Sequence, residues 1–156
     1  MKYTFKASNN LKLLPPAGKL MNIIDFNSNY SEETAKLYGQ LFEIFGEPAE
    51  RSKCIENAYI YVIAAKDEAG SEHMLSVYEG PSGPAIGGSY DAYDAALELI
   101  RYIKNAKPAD YEYEGYYFDT SSKIRRGVLN GQPFYSEIIM TADEYEKAYK
   151  EVYRGM

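Results

Sequence analysis

The sequence predicts an α+β fold in which an antiparallel sheet, made of a hairpin and a three-stranded meander, packs with about three helices. The periodic segments follow the order helix, hairpin, helix, meander, helix, which differs from the strict alternation of a doubly wound fold. The turn pair Asn130-Gly131 lies between two strand-like segments, as in a hairpin. The 156 residues suit one domain. We therefore expect a basic N-terminal extension or arm over residues 1–20 and a single α+β domain over residues 21–156.

The first helix is predicted over residues 31–45. Its apolar side chains follow helical spacing and are Ala35, Tyr38, Leu41, Phe42 and Phe45. Ser31 is suited to cap its start, and Gly46 to end it. Gly39 inside this pattern should cost about 1 kcal/mol relative to alanine. Before the helix, a short strand is predicted over residues 2–6.

A hairpin and a second helix follow. Residues 58–65 are apolar on both alternating faces, which is typical of a central strand that is covered on both sides. Residues 67–71 form the predicted turn, and residues 72–79 return as the second strand. The second helix is predicted over residues 91–105, and Pro108 prevents its continuation.

The last third of the chain predicts the meander, with strands over residues 111–118, 123–128 and 132–140. A final helix over residues 141–153 begins with a capping box, in which Thr141 and Glu144 each satisfy a backbone N–H of the first turn. The predicted hairpin and meander are antiparallel, and the edge strands of the predicted sheet could pair in a homodimer.

The register of the last two strands depends on the loop between them. A two-residue turn would put the apolar side chains of these strands on opposite faces of the sheet. A three-residue loop that includes Leu129, with a bulge, puts them on one face. We therefore expect the longer loop, with Lys123 opposite Glu137 and Arg125 opposite Tyr135 on the outer face.

Composition and charge favour a basic protein as the partner. The chain has 17 Tyr and 6 Phe but no Trp, and tyrosine packs through its ring while its hydroxyl meets water or a partner. The net charge is −6. Four of the 17 basic residues and none of the 23 acidic ones lie in residues 1–20, so the rest of the chain has a net charge of −10. Such a body repels nucleic acid and anionic membranes and attracts basic proteins.

Cys54 and His73 are the only cysteine and the only histidine. An internal disulfide and a cysteine-rich zinc site are thereby excluded. Without a second histidine, neither a catalytic dyad nor a metal cluster is expected at His73. We expect no cofactor and no metal. The apolar runs are too short for a membrane span or a secretion signal, so the cytoplasm is the expected compartment.

The outer face of the meander is the predicted partner-binding surface. Tyr and Arg often carry the binding energy of protein interfaces, and acidic side chains suit a basic partner. The predicted site residues are Glu112, Glu114, Tyr116, Phe118, Lys123, Arg125, Tyr135 and Glu137. The competing interpretation is that the last helix packs on this face and covers it.

A glycine-rich segment over residues 80–89 is the alternative site, for a small ligand or phosphate. Backbone N–H groups between a strand and a helix can bind phosphate. The ligand-binding residues would be Gly83, Gly87, Gly88 and Ser89. Against this hypothesis, Pro81 and Pro84 remove two donors and the lysine of a phosphate-binding loop is missing. A rigid surface loop used in protein recognition is the competing interpretation.

Catalysis is considered at Glu112 and Glu114, which lie on the same side of their strand. Two carboxylates could act as acid and base in glycoside cleavage. Neighbouring surface glutamates are far commoner than pairs with perturbed pKa values. We therefore expect that the chain is not an enzyme.

Two segments of the chain carry a family resemblance. They are residues 59–68, Tyr-Ile-Tyr-Val-Ile-Ala-Ala-Lys-Asp-Glu, and residues 77–84, Val-Tyr-Glu-Gly-Pro-Ser-Gly-Pro. Both resemble small acidic bacterial immunity proteins of polymorphic-toxin systems. The resemblance implies a cognate toxin, often a basic nuclease, that is held by a complementary surface. We expect an intracellular protein-binding domain, of which an immunity protein is one form. A ligand-binding or phosphate-binding regulatory domain is the alternative.

Overall fold

The computed structural model describes residues 2–13, 22–26, 31–55, 58–80 and 83–154. Within these ranges the chain has three α-helices and nine strands, which confirms the predicted α+β class. In chain order the elements are β1 (Thr4–Ser8), β2 (Asn22–Asp25), α1 (Glu32–Phe45), β3 (Glu50–Arg51), β4 (Tyr59–Lys66), β5 (Glu72–Gly80), β6 (Gly83–Gly87), α2 (Tyr93–Lys104), β7 (Tyr111–Tyr117), β8 (Ser122–Leu129), β9 (Gln132–Ile139) and α3 (Ala142–Tyr149).

The strands form two antiparallel sheets. The larger sheet has the order β1-β4-β5-β6-β2, and β3 pairs with the first residues of β4. The smaller sheet has the order β7-β8-β9. The predicted hairpin is β4 and β5, and the predicted meander is the smaller sheet. The two predicted units therefore lie in different sheets, and β2, β3 and β6 were not predicted.

Part of the predicted N-terminal extension belongs to the larger sheet. β1 pairs with β4 over five residues, from Thr4 opposite Lys66 to Ser8 opposite Val62. Residues 14–20, which complete that predicted extension, lie outside the described residues.

Helix α1 begins and ends, and α3 begins, at the residues that the sequence signals predict, whereas α3 ends at Tyr149 and a π-helical turn follows it. The Ser31 hydroxyl accepts a hydrogen bond of 3.2 Å from the backbone N–H of Glu33, and Gly46 ends α1 with a φ of +73°. At α3, Thr141 and Glu144 form the predicted capping box. The longest helix, α1, has 14 residues, and no described helix is both long and apolar enough to cross a membrane.

The main core lies between the larger sheet, α1, α2 and the face of the smaller sheet that is turned toward α1, here termed the inner face. Gly39 in α1 is in close contact with this face. A Cβ at Gly39 would lie 2.9 Å from Val128 Cγ2 and 2.9 Å from Pro108 Cβ. Glycine therefore allows the helix to approach the sheet, which accounts for a residue that is unfavourable inside a helix.

Candidate functional site

The turn between β8 and β9 has two residues, not the predicted three. Leu129 lies opposite Gln132, and the φ angles of Asn130 and Gly131 are +53° and +78°, both positive as a type I′ turn requires. The Asp110 carboxylate accepts hydrogen bonds from both turn N–H groups, at 2.8 and 3.1 Å. Asp110 thus stabilises the short turn from outside the hairpin.

The observed register differs from the predicted one by one residue. The predicted pairs of Lys123 with Glu137 and of Arg125 with Tyr135 are wrong, because Lys123 lies opposite Ile138. A shift of one residue moves every side chain of a strand to the other face. Tyr135 and Glu137 therefore lie on the inner face, where the Tyr135 hydroxyl donates to the Glu137 carboxylate at 3.1 Å.

Two of the predicted site residues, Phe118 and Lys123, contact the last helix, and a third, Tyr116, lies beside Phe118. α3 and the π-helical turn Lys150–Arg154 pack on one end of the outer face, which is the face opposite α1. The Phe118 ring lies 5.4–5.7 Å from the rings of Tyr145, Tyr149 and Tyr153. Tyr116 lies beside Phe118, and Lys123 Nζ is 3.1 Å from the Glu144 carboxylate. At this end of the outer face the competing interpretation is correct, because the last helix covers the predicted binding surface.

The other end of the outer face is open and forms a cavity of about 600 Å³ next to the β8–β9 turn, here termed the turn-end pocket. Its lining residues are Asp110, Tyr111, Glu112, Arg125, Val128, Leu129, Gln132, Pro133 and Phe134. The Arg125 guanidinium lies over the Phe134 ring, 5.7 Å from its centroid, and donates a hydrogen bond to the Glu112 carboxylate. The pocket therefore combines a charged pair with an aromatic wall.

Gly127 fixes the position of the Phe134 ring, which is the aromatic wall of the turn-end pocket. A Cβ at Gly127 would lie 2.9 Å from Phe134 Cζ, so the ring rests directly on the backbone of β8. The sequence analysis missed Phe134 and Leu129, because the predicted three-residue loop included Leu129 and put Phe134 on the face of the core. Glu114 lies opposite Arg125, is exposed, and lines a neighbouring cavity with Arg51 and Lys53. Of the eight predicted residues, the structure brings Glu112, Glu114 and Arg125 together at the open end.

The glycine-rich segment over residues 80–89 is not the predicted loop. Gly83–Gly87 is β6, an interior strand between β5 and β2, so its backbone is used in sheet pairing. A Cβ at Gly88 would lie 2.7 Å from Ile23 Cδ1 in β2, so Gly88 has a packing role. Ser89 is exposed, and its hydroxyl donates a hydrogen bond to the Asp91 carboxylate. Residues 81–82 lie outside the described residues. The geometric basis for a phosphate loop is therefore wrong.

A buried ion pair that the sequence analysis did not identify joins the two sheets. Glu79 in β5 and Arg126 in β8 both have 0% exposed side chains, and the guanidinium donates to both carboxylate oxygens. Arg126 lies over the rings of Tyr38 and Tyr113, 5.0 and 4.9 Å from their centroids. Burial opposes the charge of Arg126, but the Glu79 carboxylate outweighs this and raises its pKa. Because solvent reaches neither side chain, the pair has a structural role.

Three buried tyrosines should make the protein lose stability steeply above pH 10. Burial raises the pKa of Tyr61, Tyr111 and Tyr113 far above the ordinary value of 10.0. The unfolded chain therefore releases protons that the folded protein keeps. The contribution of these tyrosines to the free energy of unfolding is fully present below pH 10. It falls as the pH rises toward the folded-state pKa, by up to about 1.4 kcal/mol for each pH unit and each such tyrosine.

The measurement is an alkaline titration that follows tyrosinate absorbance and circular dichroism together. We expect exposed tyrosines to ionise first and the buried ones to ionise only as the circular dichroism is lost. Ionisation of all tyrosines near pH 10 in a protein that keeps its secondary structure would contradict this prediction.

The remaining candidates for chemistry are separated from one another. His73 lies 3.6 Å from the Asp67 carboxylate, and Cys54 Sγ lies 3.7 Å from the Tyr153 hydroxyl. In the described parts of the chain, no three His, Cys, Asp or Glu side chains are grouped to hold a metal ion. Glu112 and Glu114 are both exposed, and Glu112 is paired with a guanidinium.

Comparisons of the chain with protein-family models, with curated proteins and with solved structures give no match. The candidate site is therefore defined by its own geometry. The turn-end pocket brings charged, aromatic and aliphatic side chains together at the surface, and it is the site on which we base a function.

Proposed function

We propose that the chain is a protein-binding domain that holds a basic partner at the turn-end pocket. The observation that carries this proposal is the arrangement of Glu112, Arg125 and Phe134, in which each side chain is held by the next. Arginine and aromatic residues are the commonest carriers of interface energy. A guanidinium that already contacts both neighbours loses less side-chain entropy on binding, which favours recognition at this site.

The charge around the pocket favours a basic partner over an acidic one. Asp110 and Glu112 line the pocket with Arg125, Glu114 lies opposite Arg125 beside it, and the whole chain has a net charge of −6. Asp110 is engaged by the turn and Glu112 by Arg125, whereas the exposed Glu114 is well placed for a lysine or arginine of the partner. Such charge complementarity speeds association and selects among partners.

An immunity protein is the finer form of this proposal. A toxin that cleaves nucleic acid needs basic surface to hold its polyanionic substrate. An acidic surface with an aromatic anchor is complementary to such a toxin and would compete with its substrate. The resemblance of residues 59–68 and 77–84 to immunity proteins supports a toxin as the partner.

The test is an affinity measurement after capture of the partner from the source cell with the tagged full-length chain. A captured basic protein is identified by mass, purified, and titrated against Glu114→Lys and Phe134→Ala. The matched control is Glu43→Lys, which makes the same charge change at an exposed position of α1. We expect the wild type and the control to bind alike and each pocket variant to bind roughly tenfold to a hundredfold more weakly.

Equal effects of Glu43→Lys and Glu114→Lys would place binding elsewhere and refute the site. The immunity function is tested by expressing the captured protein in cells with and without the chain. Growth arrest that only the wild-type chain relieves supports a toxin, and normal growth without the chain refutes it.

A further inference from the structure

β9 is an edge strand of the smaller sheet. It pairs with β8, and no strand among the described residues pairs with its other side. Leu129 and Gln132 close the two-residue turn, so the even-numbered residues of β9 direct their backbone N–H and C=O groups toward β8. The backbone N–H of Met140 continues this pattern, because it donates a hydrogen bond of 2.7 Å to the Ser121 carbonyl. The odd-numbered residues of Pro133–Ile139 therefore direct their backbone groups toward the free edge.

This edge lacks most of the features that prevent sheets from associating. Natural edge strands are often short, bulged or protected by lysine. β9 has eight consecutive pairs with β8, without a bulge and without a lysine. Ile138 and Ile139 are 57% and 76% exposed at the same edge. Pro133 lacks an N–H, but it lies near the start of the strand and removes only a terminal donor.

We propose that β9 pairs antiparallel with β9 of a second copy, which forms a twofold dimer with one continuous six-stranded sheet. Ser136 of each copy lies at the symmetry axis. This register overlaps the whole of Pro133–Ile139 and places Phe134 beside Ile138 of the second copy. A register centred on Glu137 would instead bring two carboxylates together, which is unfavourable.

The proposed register satisfies the free backbone groups of both strands. Tyr135 and Glu137 exchange hydrogen bonds with Glu137 and Tyr135 of the second copy, and Ile139 donates to Pro133 of the second copy. About six interchain hydrogen bonds follow from the alternation of an antiparallel pair. On the inner face, each Tyr135 ring meets a carboxylate of the second copy rather than a like group. The strand is therefore complementary to itself.

Salt distinguishes this interface from the one in the proposed function. Each copy has a net charge of −6, so two copies repel each other and added salt should strengthen the dimer. Salt should weaken the binding of a basic partner at the turn-end pocket. Phe134 belongs to both surfaces, but Glu114 lies on β7, at the opposite edge of the smaller sheet from the strand that pairs in the dimer. The Glu114→Lys variant should therefore still dimerise, and either proposal can fail without the other.

A disulfide test reports the register directly. In a Cys54→Ser background, Ser136→Cys places one thiol on each side of the axis. Opposed residues that are not hydrogen-bonded lie about 4.5 Å apart at Cα, which suits a disulfide. The matched control is Gln132→Cys, which is exposed on the same face of the same strand. Its two copies would lie roughly 27 Å apart. We expect mild oxidation to give a covalent dimer with Ser136→Cys only; cross-linking of both variants or of neither would overturn the proposal.

Sedimentation equilibrium tests the dimer without a cross-link. We expect the mass of the wild type to rise with concentration from 17.7 kDa toward twice that value. Glu137→Pro removes a donor from the free edge but none from the β8 pairing, as edge strands tolerate. Glu137→Pro should raise the dissociation constant of the dimer roughly tenfold to a hundredfold, whereas Glu137→Gln should leave it unchanged. Circular dichroism verifies that the proline variant folds. A monomer at every concentration, or a folded proline variant that dimerises like the wild type, would refute the pairing.

Discussion

Replacing Arg126 with alanine should lower the free energy of unfolding by roughly 3–5 kcal/mol. The change leaves the Glu79 carboxylate buried at 0% exposure, without the guanidinium that neutralises it. It also removes the cation from between the rings of Tyr38 and Tyr113. An uncompensated buried charge is among the most damaging outcomes of a single substitution. Urea unfolding of the purified chain measures the loss.

The neighbouring arginine provides the matched control. Arg125 precedes Arg126 in β8 but lies exposed on the outer face, so Arg125→Ala should leave the urea midpoint almost unchanged. The double variant Arg126→Met with Glu79→Leu removes both charges and keeps most of the volume. It should recover much of the stability that Arg126→Ala loses. Equal losses from the two arginine variants would contradict the structural role of the pair.

Replacing Gly127 with alanine should destabilise the smaller sheet by about 3 kcal/mol. The new Cβ would lie 2.1 Å from the Tyr111 carbonyl oxygen and 2.9 Å from Phe134 Cζ. The ring can turn aside, but the carbonyl oxygen belongs to the backbone of β7. The substitution therefore forces β7 and β8 apart and also displaces the aromatic wall of the turn-end pocket.

A second glycine separates this steric effect from a general cost of alanine. Gly70 has a φ of +88°, and a Cβ there would meet only Lys66 Cε, at 4.0 Å. Gly70→Ala should cost about 1 kcal/mol, the ordinary penalty for a left-handed alanine. Urea unfolding compares the two variants. If Gly127→Ala costs no more than Gly70→Ala, the close approach of the two strands is not as described.

The elements that the sequence predicts correctly are those whose signals are local. The spacing of apolar side chains and the caps at Ser31 and Thr141 are contained in a few consecutive residues, and they locate α1 and α3 well. β6 was missed because Gly-Pro-Ala-Ile-Gly has little preference for a strand and is held by its neighbours β5 and β2. Its conformation depends on contacts that lie far away in the sequence.

The register error has a physical cause. We assumed that the apolar side chains of β8 and β9 must share one face, but Arg126 and Tyr135 occupy the inner face together with Ile124. Asp110 selects the short turn from 20 residues away, which no pattern within the hairpin indicates. The candidate site was therefore predicted in part. The alternation of β7 located Glu112 and Glu114, whereas Phe134 required the correct register.

The ion pair between the sheets also determines how the protein can fold. Glu79 and Arg126 are 47 residues apart, and each belongs to a different sheet. If either sheet formed without the other, it would have to leave its charge in water and its interior unfinished. We therefore expect the two sheets to fold and unfold together as one cooperative unit. A charge partner that is far away in the sequence thus couples the unfolding of one sheet to that of the other.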